Sequence, residues 1–127
     1  MSFTFDLNAG PVIVSARLWG PTGNTVVRLA LDTGATATLV NWDIAVLLGY
    51  DPSVAPKRRQ ITTGSGVEFA PQILIDKVEA LGVERVEFPV LCHTLPPSAG
   101  VDGLLGLDFL RGRRLALDFR AGTVIVD

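Results

Sequence analysis

Residues 29–40 read LALDTGATATLV, which sets one acidic side chain, Asp32, inside an otherwise apolar run and follows it at once with Thr33, Gly34 and Ala35. Burying a carboxylate costs several kcal/mol unless something compensates it. The run is therefore either a strand ending in a turn or a carboxylate held at the floor of a cleft. An apolar β-branched stretch, TVVRLALD, leads straight into Asp32, and TATLV continues beyond it.

The triplet Asp-Thr-Gly alone is weak evidence, since it arises by chance in roughly one chain in forty of this length. Its setting carries more. About 70 residues further on comes a second marker, Leu104-Leu105-Gly106, followed by Leu107-Asp108-Phe109-Leu110 on an expected helix. Between the two lies the tripeptide Gly64-Ser65-Gly66, flanked by KRRQITT and VEFAPQILIDKVEAL, the outline of a long hairpin with a glycine tip. A strand, an acidic turn, a glycine-tipped hairpin and a second strand entering a helix follow one another in that order.

The remainder reads mostly as strand. Thirteen glycines and eight prolines punctuate short β-branched and aromatic runs. FTFDL alternates over residues 3–7, PVIVSARLWG gives a second strand, and PTGN at 21–24 a tight turn. NWDIAVLLGY predicts a short helix, with Asn41 capping its start, Asp43 in its first turn and Gly49 ending it. VERVEFPVLC is another strand, HTLPPSAG a proline-rich loop, and GLLGLDFLRG a short apolar helix or helical turn. RRLALDF, the turn RAG and TVIVD predict a closing hairpin.

Composition narrows the function classes. A chain of 127 residues suits one domain over 1–127, and it buries roughly two-thirds of its unfolded surface. With 48% hydrophobic and 19% charged residues it is globular. A net charge of −2 and isolated arginine pairs, Arg58-Arg59 and Arg113-Arg114, argue against a nucleic-acid partner. One cysteine excludes an internal disulfide and fits a reducing compartment. No basic, apolar leader opens MSFTFDLNAG and no apolar run reaches the length of a membrane span. The expectation is a cytoplasmic protein with no membrane partner.

The chain resembles the single-lobed retropepsin-like aspartic proteases, and its cellular and bacterial members more closely than the viral enzymes. LDTGAT is similar to their active-site loop, GLLGLDFL to their second signature, ITTGSGVEF to their flap and DFRAGTVIVD to their closing hairpin. The resemblance implies a mostly β, closed acid-protease barrel lobe with one or two short helices. It implies peptide hydrolysis by two carboxylates sharing a proton across a water, a pairing for which aspartic proteases are a standard illustration. One Asp-Thr-Gly per chain means that the second carboxylate comes from a second copy, so a symmetric homodimer is expected, with no metal and no cofactor. By the same resemblance Thr33 hydrogen-bonds across the dimer axis and Gly34 lets the substrate backbone come close. Ala35 and Thr36 contact the substrate, Leu104 and Leu105 line the pocket floor, and Gly106 allows a tight crossing. Gly64, Ser65 and Gly66 form the flap tip. Residues near 2–7 and 123–127 are expected to join the two copies.

Two departures matter. Viral enzymes commonly pair an acidic residue two positions past the motif glycine with an arginine just after the second signature's glycine. Here those positions are Thr36 and Leu107, so both partners are absent together. Ala35 is the other: relatives with Ser or Thr there can donate a hydrogen bond to the catalytic carboxylate, and alanine cannot. Activity at mildly acidic to neutral pH is expected in consequence.

Plainer readings exist for each feature. Asp32 suits an ordinary turn, and an intact motif also fits an inactive dimeric peptide-binding module or a β-barrel that binds a small ligand. Asp102 is expected in a turn, and Asp108 in the first helical turn, where it favours the dipole. Cys92-His93 is no metal or nucleophile site, because adjacent strand residues face opposite ways and the chain has no other histidine. Cys92 is expected to be buried and inert, and Trp19, Trp42 and Tyr50 to be core or interface aromatics.

Overall fold

The computed structural model describes residues 1–127, the side chain of Thr63 excepted. In chain order the strands are β1 (Ser2–Thr4), β2 (Ile13–Gly20), β3 (Gly23–Leu31) and β4 (Leu39–Val40), then β5 (Lys57–Thr63), β6 (Gly66–Ala80), β7 (Val83–Cys92), β8 (Gly103–Leu105), β9 (Leu115–Asp118) and β10 (Thr123–Val126). Two short helices interrupt them, α1 (Trp42–Leu47) and α2 (Leu107–Leu110), with 3₁₀ turns at Pro52–Val54 and Pro97–Ala99.

Alternation along the strands builds the core. In β2 the buried Val14, Ala16 and Leu18 alternate with exposed Ser15 and Arg17, and β3 buries Val27 and Leu29 between exposed Val26 and Arg28. The large sheet runs β2-β3-β8-β4-β7-β6-β5, and β2 also pairs with β6 over Ala16↔Ala80 to Trp19↔Lys77. That extra pairing joins β2, β3, β8, β4, β7 and β6 into a closed ring of six strands, leaving β5 outside it. Phe109, fully buried, meets Phe88 edge to face at 5.7 Å inside the ring.

β6 is 15 residues long because it serves three partners, β5, β7 and, at its end, β2. From Gln72 onward it pairs with β7, and before that with β5 alone. Pro71 sits where the β5–β6 hairpin leaves the barrel, a place where a missing N–H is tolerated. The hairpin ends at the Gly64-Ser65 turn, as the glycine tip predicts.

Several local expectations are corrected. FTFDL yields only β1 at Ser2–Thr4, extended by a Phe5 N–H to Gly122 C=O bond of 2.9 Å. GLLGLDFLRG is not one helical stretch, since residues 103–105 pair as β8 before the single turn of α2. Asn41 occupies the position before α1 but makes no side-chain cap. Its Oδ1 accepts the Leu95 N–H at 3.0 Å instead, tying the proline-rich loop down. The closing hairpin, by contrast, is as expected: β9 and β10 pair, and β1 joins them in a separate sheet, β1-β10-β9, with β10 in the middle.

Gly103 sits where β8 threads between β3 and β4. A methyl group on it would lie 2.0 Å from the Leu39 carbonyl oxygen and 2.9 Å from Val40 Cα, both backbone atoms. Gly103→Ala is therefore expected to cost about 1–3 kcal/mol. Gly10→Ala, with nothing within 4 Å of the added carbon, should change stability by less than about 0.5 kcal/mol. Urea denaturation of the two variants beside the parent checks the contrast.

Candidate active site

The parallel ladder between β3 and β8 aligns Leu29 with Gly103, Ala30 with Leu104 and Leu31 with Leu105. One step further the Asp32 N–H donates to the Leu105 carbonyl at 3.0 Å, and on the opposite side the Leu31 N–H donates to Val12 C=O at 2.8 Å. The backbone entering Asp32 is thus held from both edges. The chain then turns: the Gly34 N–H donates to Asp32 Oδ1 at 2.9 Å and the Ala35 N–H to Asp32 C=O at 3.2 Å. Both the turn reading and the cleft reading of Asp32 hold, because its carboxylate closes the turn and also faces a cleft. Within one chain it is half-buried rather than buried, and Thr33 and Gly34 beside it are exposed.

The second signature crosses directly beneath this loop. A Cβ on Gly106 would stand 2.7 Å from the Ala37 carbonyl group and 2.9 Å from Ala35 O, so only glycine fits. The Leu107 N–H donates to Ala35 C=O at 2.8 Å. The link between Leu107 and the loop is therefore a backbone bond.

A third connection was not read from the sequence. Thr38, only 1% exposed, accepts the Gly106 N–H on Oγ1 at 3.1 Å and donates that hydroxyl to Asp108 Oδ1 at 2.7 Å. The Thr38 N–H donates to the other oxygen, Asp108 Oδ2, at 3.1 Å. Asp108 does accept an N–H of its own helical turn, from Phe109 at 2.8 Å, but its main work is to clasp Thr38. Asp102 likewise does more than sit in a turn: its Oδ2 accepts the Arg28 N–H at 2.8 Å, its own N–H donates to Arg28 C=O at 2.8 Å, and its carbonyl accepts the Asn41 N–H at 2.8 Å. Neither aspartate pairs with Asp32.

Asp32, Gly34, Ala35 and Thr36 form the floor of a cleft of about 910 Å³, whose opposite side is the β5–β6 hairpin with Gly64 and Ser65. Leu104 lines it, while Leu105 is fully buried in the core and Gly106 lies under the loop, so neither reaches the pocket floor. Thr33 and Gly66 are also outside the lining. His93, which the sequence gave no reason to place here, borders the cleft and brings Nδ1 to 3.5 Å from Glu68 Oε2 on the hairpin. Its neighbour Cys92 points the other way and is 1% exposed. Among the described residues no three His, Cys, Asp or Glu side chains gather as a metal site. Of the aromatics, Trp19 carries the Lys77 ammonium 4.0 Å over its ring, and the Tyr50 hydroxyl hydrogen-bonds with Asp76.

The model of the family described as gag-polyprotein putative aspartyl protease matches residues 22–112, which include the Asp32 loop, the hairpin and the second signature. Among solved structures, a retropepsin-like aspartic protease from Rickettsia conorii is similar over 99% of this chain and 88% of its own, with a TM-score of 0.75 at 19% identity. At that identity the likeness shows the fold. No curated protein gives a match.

Two outcomes are expected. Thr38→Val keeps the shape but orphans the buried Gly106 N–H and strips Asp108 of its hydroxyl donor, so it should cost about 1–3 kcal/mol, and Thr38→Ser clearly less; urea denaturation decides. Burial pushes the Cys92 thiol from 9.0 up to about 11. Between those values the unfolded chain sheds a proton that the folded chain keeps, so this thiol's contribution is intact below pH 9 and is lost as pH rises through that window. A native sample should therefore resist a thiol reagent such as Ellman's reagent at pH 8 and react fully once denatured.

Proposed function

Since this chain belongs to the family of gag-polyprotein putative aspartyl proteases and carries a retropepsin-like fold, we propose that it is an aspartic endopeptidase acting as a symmetric homodimer on extended peptides. The observation that carries the reading is Asp32 itself: a carboxylate pinned at the backbone by Leu105, turned by Gly34, and opening into a cleft covered by a glycine-tipped hairpin.

The chemistry needs two carboxylates and the chain supplies one, so a two-fold axis sets Asp32 against its counterpart in a second copy. One proton is shared between the two. The ionised carboxylate takes a proton from the bound water, which attacks the scissile carbonyl. The protonated one gives its proton to the carbonyl oxygen, and a tetrahedral diol forms with no covalent link to the protein. On collapse one diol hydroxyl returns its proton to the dyad while the C–N bond breaks and the departing amine takes a proton from it, so one shared proton remains. Gly34 and the Ala35-Thr36 edge would hold the peptide backbone along the floor, with Gly64 and Ser65 closing from above. Thr33, exposed and outside the cleft, is available to brace the partner's loop. With β10 internal to its sheet, the copies would join along the outer strands β1 or β9, or by exchanging β1.

Asp32→Asn keeps the shape and removes the acid–base group, so cleavage of a mixed peptide library at high protein concentration should fall at least about 100-fold relative to the parent. Peptide binding without cleavage by the parent, in a sample shown to be dimeric, would favour a binding module instead. The parent's pH–rate profile should peak between about pH 5 and 7, and Ala35→Ser should move its acidic limb downward. A parent optimum near pH 3 would rule out that role for Ala35.

A further inference from the structure

The inner face of the β5–β6 hairpin carries charge, and the two charges differ in one respect. Register pairs Arg59 with Ala70 and Ile61 with Glu68. Alternation then puts Arg59, Ile61 and Glu68 on one face and Arg58, Gln60, Val67 and Phe69 on the other. The first set borders the cleft, whereas Arg58, Val67 and Phe69 do not. Glu68 faces His93 across the gap at 3.5 Å. Arg59 has no carboxylate within ion-pair distance among the described residues.

β5 is also the last strand of its sheet, so its outer backbone edge is open. Four consecutive residues, 59–62, border the cleft, which means that the strand presents this edge to it. A peptide laid along the edge would pair as an added strand and send alternate side chains to the inner face. The cross-strand position beside Arg59 then meets a guanidinium whose planar fork suits a carboxylate.

We propose that Arg59 reads an acidic side chain, Asp or Glu, at one position of the bound peptide. This rests on the reading that the cleft takes an extended peptide. It makes a prediction opposite to that of the overall charge, since a protein of net charge −2 attracts basic peptides at long range.

The test measures binding rather than turnover. Labelled apolar peptides carrying Asp, Ala or Lys at each position in turn are titrated by fluorescence anisotropy against the Asp32→Asn protein. At one position Asp should bind roughly two- to fivefold tighter than Ala, and Lys more weakly than Ala. Arg59→Glu should reverse that order, and Arg59→Gln should level it if the reversed charge harms folding. Arg58→Glu makes the same change in net charge on the outer face and should leave the order intact. Added salt should flatten the preference. A Lys preference at every position, an Asp preference that survives Arg59→Glu, or no binding of any peptide would overturn the proposal. Failure of the parent to cleave peptides that it binds with the Asp preference would instead sink the endopeptidase reading and leave the role of Arg59 standing.

Discussion

Three backbone steps of parallel pairing between β3 and β8 are the constraint on which the site depends, because they decide where Asp32 stands. Parallel neighbours cannot be joined by a tight turn, so the chain must travel a long way between them. Here the journey takes in α1, the β5–β6 hairpin and β7 before β8 returns beside β3. The hairpin that covers the cleft is thus part of the connection the ladder requires. A ladder this short would be frail alone. It is extended by the Asp32-to-Leu105 and Leu107-to-Ala35 backbone bonds at one end and by the two-way Asp102–Arg28 exchange at the other.

The Asp32 loop is held to the second signature by neutral donors around a carboxylate. Thr38 and Asp108 hold the loop through three hydrogen bonds, and their buried polar atoms are all satisfied among the described residues. A hydroxyl accepting one N–H while donating to a carboxylate loses little on burial, whereas a full ion pair pays desolvation twice. With neutral residues at Thr36 and Ala35, the cleft floor keeps a single ionisable group, Asp32.

The order of strands, the glycine-tipped hairpin, the closing hairpin and the Asp32 loop were legible because each leaves a local mark: alternation, a turn tripeptide, or a motif. What was not legible depended on partners far along the chain. Thr38 looks like one more small residue of TATLV until Gly106 and Asp108 arrive beside it. Asn41 has every local feature of a cap, yet Leu95 competes for its oxygen and wins. Residues 103–105 are too short a run to show a strand's alternation, so local pattern leaves strand and helix both open there, and it is pairing with β3 and β4 that bears out the strand reading. His93 enters the site through the separation of β6 from β7, which no spacing in the sequence announces.

The Asp32 loop has two sides, and they are turned to different tasks. Gly34, Ala35 and Thr36 look into the cleft, while Thr33, exposed, looks away from it. A dyad built by symmetry needs this division. One side of the loop must remain open to a peptide several residues long, and the other must meet its own copy closely enough for two carboxylates to share a proton. A loop with both sides packed inside its own chain could do neither. Under the proposed dimer the half-buried state of Asp32 in a single chain has the same reason: its Oδ1 is satisfied locally by Gly34, and the partner and the hairpin would supply the rest of its shelter.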